Sequence, residues 1–298
     1  MPETIWINGQ YLERETAMVS AFDASIQHGI GLFETMTAGA SGVFRVDHHV
    51  DRLIASAQAL GLSRTLRHDA LAELVEAVTA HSQLATGELR ARVRLTLTGG
   101  NLNLLSSRTP GPIDPTIMVH VQPATPYPEE LFERGAPAVI ADTRVNPLDP
   151  TQGHKTVNYW WRLRELQHAA ARQASEALLF SITNHVASGT VSNVFAVRDG
   201  VLATPIARGE EADGSMPSGV LPGITRGWVM EHAAASDVTV ERRMLTIDDL
   251  LEADEVFLTN SGWGVLPVIR IEAEQIGSGA PGDMTRACLD GWRKACRG

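Results

Sequence analysis

The stretch His154-Lys155-Thr156-Val157-Asn158-Tyr159-Trp160 carries one of only two lysines in a chain of 298 residues. The other, Lys294, lies in the C-terminal tail, and the 25 basic residues are otherwise all arginine. Wherever a surface cation would serve, this sequence uses arginine. Arginine cannot be deprotonated at working pH, whereas a lysine amine can lose its proton and can form a Schiff base. Lys155 is therefore a candidate for amine chemistry, set against the plainer possibility of a structural or chance lysine.

Around this stretch the pattern is mixed. Ile5 to Tyr11 reads as a short strand with Asn8-Gly9 as a hairpin turn. Gly29 to Thr37 reads as a strand, and Val43 to Val46 as another. Asp47 then opens an amphipathic helix with Leu53, Ala57 and Leu60 on one face, and a second helix spans 69–84. From Glu88 to Thr98, Leu89, Ala91, Val93, Leu95 and Leu97 alternate with Arg90, Arg92, Arg94 and Thr96, the period of a half-exposed strand. Ile117 to Val121 is one more. Pro123, Pro126 and Pro128 mark the best domain boundary. Beyond them come a strand over 138–143, the loop carrying Lys155 and a long helix over 157–174. A hairpin of 177–180 with 194–198 follows. Gly223 to Arg226 opens another helix, strands cover 238–242 and 255–259, and a helix closes the chain. The expectation is an α+β chain of two domains, a small one over 1–122 and a larger one over 131–298, joined by a linker over 123–130.

Composition narrows the class. Hydrophobic residues make up 44% and charged residues 20%, enough apolar material for substantial cores. A net charge of −10 with a pI near 5.5 argues against a nucleic-acid binder. No apolar run is long enough to cross a bilayer, and Met1-Pro2-Glu3-Thr4 lacks the apolar core of a secretory signal. Cys288 and Cys296, eight apart, read as packing residues, so a cytoplasmic location is expected. His48 and His49 are adjacent and project to different helix faces, which suits one metal poorly, so no metal site is expected.

Three groups look like phosphate-binding equipment. Leu221-Pro222-Gly223-Ile224-Thr225-Arg226 places Thr225 in a first helical turn, where backbone N–H groups and the helix dipole favour an anion. Arg52 can offer a bidentate fork. Thr259-Asn260-Ser261-Gly262 ends a strand with small donors. Each also has an ordinary reading as a helix start, a solvated arginine or a turn. Their weight comes from occurring together with one interior lysine.

These residues resemble a family. Asp23…Gly29-Ile30-Gly31-Leu32-Phe33-Glu34-Thr35 and Phe44-Arg45…His49…Arg52-Leu53 are similar to the N-terminal signature of class IV (fold type IV) pyridoxal-phosphate enzymes. So, in family order, are Lys155 to Tyr159, Gly189-Thr190-Val191-Ser192-Asn193-Val194-Phe195, Leu221 to Arg226 and Glu255 to Ser261. The family includes branched-chain and D-amino acid aminotransferases and 4-amino-4-deoxychorismate lyase. The resemblance implies the two-domain D-amino acid aminotransferase-like architecture, a homodimer, and pyridoxal 5'-phosphate bound covalently to Lys155. By position, Arg52, Ile224, Thr225 and Ser261 would hold the phosphate. Tyr159 would approach the phenolic oxygen, at a spacing from the lysine one shorter than in branched-chain aminotransferases.

One departure stands out. The family's glutamate before Gly-Thr/Ser-x-Ser-Asn, which pairs with the pyridine nitrogen, is Ser188 here, and 177–198 contain no Asp or Glu to replace it. A hydroxyl cannot supply the charge that makes the ring a strong electron sink. Three expectations compete: an aminotransferase acting on a small amino acid and keto acid pair, a lyase that expels pyruvate to give 4-aminobenzoate, and a scaffold that has lost or altered the chemistry. Thr259-Asn260-Ser261 followed by Gly264-Val265-Leu266-Pro267-Val268 looks more like the lyase, and Tyr159 more like the branched-chain aminotransferases. Arg90, Arg92 and Arg94 could supply a substrate-carboxylate arginine in either enzyme.

Overall fold

A computed structural model describes residues 3–101 and 115–297. Met1 and Pro2, part of the N-terminus read above, lie outside them. The chain divides into two compact units: residues 1–125, 154–158 and 295–298 form one, and residues 126–153 and 159–294 the other. The division departs from a cut along the chain chiefly at 154–158, the Lys155 segment, which belongs to the first unit.

The first unit contains β1 (Thr4–Ile7), β2 (Gln10–Leu12), α1 (Ala24–His28), β3 (Gly31–Gly39), β4 (Gly42–Val43), α2 (Val46–Ala59), α3 (His68–Ser82), β5 (Ala91–Thr98) and β6 (Ile117–Pro123). Its strands form one antiparallel sheet in the order β2-β1-β6-β5-β3-β4. The alternation in β5 holds for Ala91, Val93, Leu95 and Leu97, which are buried, and for Arg92 and Arg94, which are half-exposed, whereas Leu89 precedes the strand and is exposed and Thr96 is buried. Val50, Leu53 and Ala57 of α2 and Leu71, Val75 and Val78 of α3 repeat at helical spacing and share a core with Leu32 and Met36 of β3. The strand expected over 43–46 is shorter. Arg45 takes a left-handed φ of 53° and turns the chain into α2 at Val46.

The helix expected from Val157 begins only at Trp160. Residues 155–157 are instead extended against β3: Phe33 N donates to Lys155 O at 2.9 Å, Val157 N donates to Gly31 O at 3.0 Å, and Thr156 bridges Leu32. Gly31 has a neighbour on each side, since a Cβ there would lie 2.8 Å from Leu97 O of β5 and 3.4 Å from Val157 Cγ1.

The second unit contains α4 (Glu130–Glu133), β7 (Ala136–Val145), α5 (Trp160–Ala171), β8 (Glu176–Ser181), β9 (Val186–Gly189), β10 (Asn193–Arg198), β11 (Val201–Thr204), α6 (Ile224–Ala234), β12 (Val240–Arg242), α7 (Ile247–Leu251), β13 (Glu255–Asn260), β14 (Gly264–Ile271), β15 (Glu274–Gln275) and α8 (Asp283–Ala295), the last residue of which falls in the first unit. Its sheet runs β12-β11-β10-β13-β14-β7-β8-β9, with β15 on β14. Pairs β7–β14, β7–β8 and β11–β12 are parallel and the rest antiparallel, so the sheet is mixed, as an α+β chain requires. The expected hairpin of 177–180 with 194–198 is wrong. β8 turns back into β9, with Asn184 at φ 61° in the turn, and β10 pairs with β11 and β13. Cys288 and Cys296 are both free and buried, and burial pushes each thiol up to about 12. Among the described residues, no helix is long and apolar enough to cross a membrane.

Candidate active site

In the first unit, Lys155 sits on its extended segment with Nζ 4.4 Å from the centroid of the Phe33 ring. The Arg94 guanidinium lies over the same ring at 3.8 Å. His154 hydrogen-bonds Ser56 at 2.9 Å through Nδ1 and fixes the segment from its other side. Lys155 is thus held by backbone bonds to β3 on an aromatic surface it shares with one arginine of β5.

Next to it the same unit builds a buried ionic cluster that was not singled out from sequence. Glu34 on β3 accepts from Arg52 Nε at 2.9 Å and from Arg52 Nη2 at 2.5 Å, and its Oε2 lies 2.7 Å from His49 Nδ1. Burial alone would raise the Glu34 carboxyl, but the Arg52 charge and the His49 hydrogen bond outweigh it and bring it down to about 2. His49 is lowered as well. Burial, with the Arg52 and Lys155 charges, lowers it more than Glu34 raises it, so the imidazole is neutral with its Nδ1–H on Glu34. His49 Nε2 is then a buried acceptor without a hydrogen-bond partner. Arg52, expected as a phosphate fork, is oriented by Glu34 through two of its nitrogens. Glu34 and His49 stand in the stretch that carried the family resemblance, but their pairing across fifteen residues is set by β3 lying under α2.

In the second unit, Ile224 and Thr225 open α6 behind Gly223, and no side chain caps this helix. Thr225 is 2% exposed and its Oγ1 has no hydrogen-bond partner. Thr259, at the end of β13, is equally buried and its Oγ1 is also unpartnered. Asn193 ties the two ends together: its Nδ2 donates to Leu221 O at 2.9 Å, and its backbone pairs with Thr259 in the sheet. Gly223 is required where it stands, because a Cβ would collide with Asn193 Oδ1. Ser261 follows in a turn that Asn260 shapes by accepting from Gly262 N at 2.8 Å and Trp263 N at 3.0 Å. An uncapped helix end with free N–H groups and buried unsatisfied hydroxyls fits a phosphate.

Elsewhere in this unit Ser188, 5% exposed on β9, donates to Gly189 O at 2.7 Å. It accepts from Arg162 Nη1 of α5 at 3.5 Å, and the same nitrogen donates to Thr190 O at 3.1 Å. Tyr159 is the N-cap residue of α5, with its ring 5.8 Å from the Arg162 guanidinium carbon. Glu176, directly before the acid-free stretch 177–198, is fully buried. Thr190 N, Thr190 Oγ1, Ser192 Oγ, Ala177 N and Val191 N all donate to it. Even so, its burial raises its carboxyl.

Among the described residues, Asp142, Glu165 and His168 bring ligand-type atoms within 4.8 Å of one another. Asp142 and His168 are exposed, and Glu165 already receives Asp142 N at 3.2 Å and Thr143 Oγ1 at 2.6 Å.

The chain is similar to known proteins. The family model for class IV amino-transferases matches residues 31–271. A Methanocaldococcus jannaschii protein assigned as a branched-chain-amino-acid aminotransferase is 32% identical over 95% of this chain and 92% of its own length. The Bacillus subtilis aminodeoxychorismate lyase is 25% identical over 92% of this chain and 88% of its own. Among solved structures, the Escherichia coli branched-chain amino acid aminotransferase superposes with a TM-score of 0.88 at 25% identity, covering 100% of this chain and 95% of that one. A T.th. branched-chain amino acid aminotransferase with pyridoxamine 5'-phosphate superposes with a TM-score of 0.85 at 28% identity, covering 98% and 93%. The chain belongs to the class IV aminotransferases, a family of pyridoxal-phosphate enzymes with the fold type IV architecture.

Proposed function

We propose that this enzyme is an aminotransferase acting on a small amino acid and keto acid pair, with Lys155 as the covalent anchor for pyridoxal phosphate. The observation that carries the reading is the uncapped start of α6 with its buried, unpartnered Thr225 Oγ1, matched by Thr259 Oγ1. A buried hydroxyl without a partner costs about 1–3 kcal/mol, which a phosphate oxygen would recover. Bound pyridoxal phosphate supplies an aldehyde for an amine and a ring that draws electron density from the substrate's Cα.

The chain's residues divide the remaining work. Ile224 and Thr225 hold the phosphate with backbone N–H groups and a hydroxyl. Ser261 adds a donor and Arg52, oriented by Glu34, adds a cation. Tyr159 takes the phenolic-oxygen side and Ser188 the ring-nitrogen side. Lys155 Nζ would take the proton from the substrate's Cα and return it as general acid. Arg94, sharing the Phe33 ring with Lys155, is the arginine of β5 best supported for the substrate carboxylate. A homodimer accompanies this reading and is checked by light scattering.

The second reading is pyruvate elimination from aminodeoxychorismate to give 4-aminobenzoate. Ser188 supports it, because a ring without a paired acid is a weaker electron sink. The deciding experiment supplies pyridoxal phosphate with pairs of amino and keto acids, then with aminodeoxychorismate. Transfer that disappears in Lys155→Ala is expected. Pyruvate release without transfer would replace the first reading with the second.

A further inference from the structure

Ser188 stands where the family resemblance implies a glutamate, and its surroundings in the second unit are specific. Two side chains of opposite charge lie near it, and they differ in what they offer. Glu176 is turned into the 190–192 loop, where four donors of the loop, with Ala177 N as a fifth, converge on its two oxygens. Its carboxylate is therefore committed and does not present an acceptor beside Ser188. Arg162 is different. Its Nη1 lies against the Ser188 hydroxyl oxygen at 3.5 Å and against Gly189 O and Thr190 O at 3.4 and 3.1 Å. Trp161 backs the guanidinium at 4.5 Å and Tyr159 at 5.8 Å.

The donor and acceptor inventory then decides what Ser188 can give. Arg162 has only N–H donors and keeps its charge. It occupies a lone-pair side of Ser188 Oγ, so the group Ser188 has to offer is its O–H. That hydrogen now points to Gly189 O at 2.7 Å, and rotation about one bond redirects it. A hydroxyl polarised by a cation is a good donor and a poor acceptor. It suits a neutral pyridine nitrogen and disfavours a pyridinium N–H, which needs an acceptor and is repelled by the nearby positive charge.

We infer that Arg162, acting through the Ser188 hydroxyl, holds the ring nitrogen of bound pyridoxal phosphate in its unprotonated form. This rests on the reading of Ser188 as the ring-nitrogen side of the site. Arg162 is a positioning residue in this role. The consequence falls on Lys155: with less charge delocalised into the ring, Nζ must stay close to Cα and return the proton promptly. Chemistry that depends on a long-lived negative charge at Cα is selected against.

The test loads the whole protein with pyridoxal phosphate labelled with 15N in the ring, removes the excess by gel filtration and reads the ring-nitrogen chemical shift by NMR between pH 6 and 9. The wild type is expected to read as an unprotonated pyridine throughout. Arg162→Gln should raise the proton affinity of that nitrogen about 10-fold or more, one pKa unit or more. Arg162→Lys, which keeps the charge, should retain the wild-type signal. A pyridinium signal in the wild type overturns the inference even if Arg162→Gln fails to fold. An unchanged signal in a folded Arg162→Gln overturns the role of Arg162. Failure of the wild type to retain any label overturns the reading of the site itself, and the inference with it.

Discussion

Two helices of the second unit begin in opposite ways. α7 is entered through Thr246, whose side chain accepts from Asp249 N while Asp249 accepts from Thr246 N, a complete capping box. α6 is entered through Gly223, has no side-chain cap and buries a hydroxyl that bonds nothing. Both face the same problem of orphan N–H groups in the first turn. α7 solves it with its own side chains, whereas no side chain does so at α6, where the proposed function puts an anion. The contrast separates a helix start capped by its own side chains from one whose first turn has no side-chain cap, and the proposed function rests on that difference.

That contrast can be broken from either side. The largest effect is expected for Gly223→Ala. Its Cβ collides with Asn193 Oδ1 and shifts the first turn of α6. Retention of pyridoxal phosphate, measured by equilibrium dialysis, should fall about 100-fold, roughly 2.7 kcal/mol. Thr225→Val should weaken retention about 10-fold, or roughly 1.4 kcal/mol. Yet it should leave the unliganded protein as stable as before or more so, because it removes a buried unpaired hydroxyl. Thermal melts with and without inorganic phosphate check this: the wild type gains melting temperature with phosphate and the variant does not. At the other helix, Thr246→Ala should cost about 1 kcal/mol of stability in a denaturant titration and leave phosphate protection intact.

The smallest effect is a pH dependence. Burial would raise the Asp249 carboxyl, but hydrogen bonds from Arg243 and Thr246 bring it down to about 2. A depressed carboxyl contributes stability that is complete above its ordinary value near 3.8 and lost as pH falls towards 2. Stability that falls through that window in the wild type should fall less in Thr246→Ala. Glu34 adds to the same acid loss from the first unit, so the comparison is between variant and wild type at each pH.

How much of this the sequence disclosed depends on whether a contact is local. β5, α2 and the start of α6 announce themselves by period and by Pro-Gly punctuation, and Lys155 by rarity. Three elements were hidden for identifiable reasons. Pro267 lies inside β14, paired with Phe257, and a proline ordinarily argues against an interior strand. The β8–β9 turn uses Asn184 rather than glycine for its left-handed residue. The delay of α5 to Trp160 comes from backbone bonds to β3, more than a hundred residues away. The same rule governs the site. Arg52, Thr225 and Ser261 were legible as residue types in suggestive places. Glu34 with His49, and Arg162 with Ser188, are partnerships made by one element lying on another. No spacing in the chain announces them.

The central claim is that Lys155 forms the covalent bond to the cofactor, and the composition makes it directly measurable. With Lys155 and Lys294 as the only lysines, incubation with pyridoxal phosphate, reduction with borohydride and peptide mass mapping gives a clear answer. The account predicts one stoichiometric phosphopyridoxyl group on the Lys155 peptide. A modification found only on Lys294 or the terminal amine, or none at all, would contradict it.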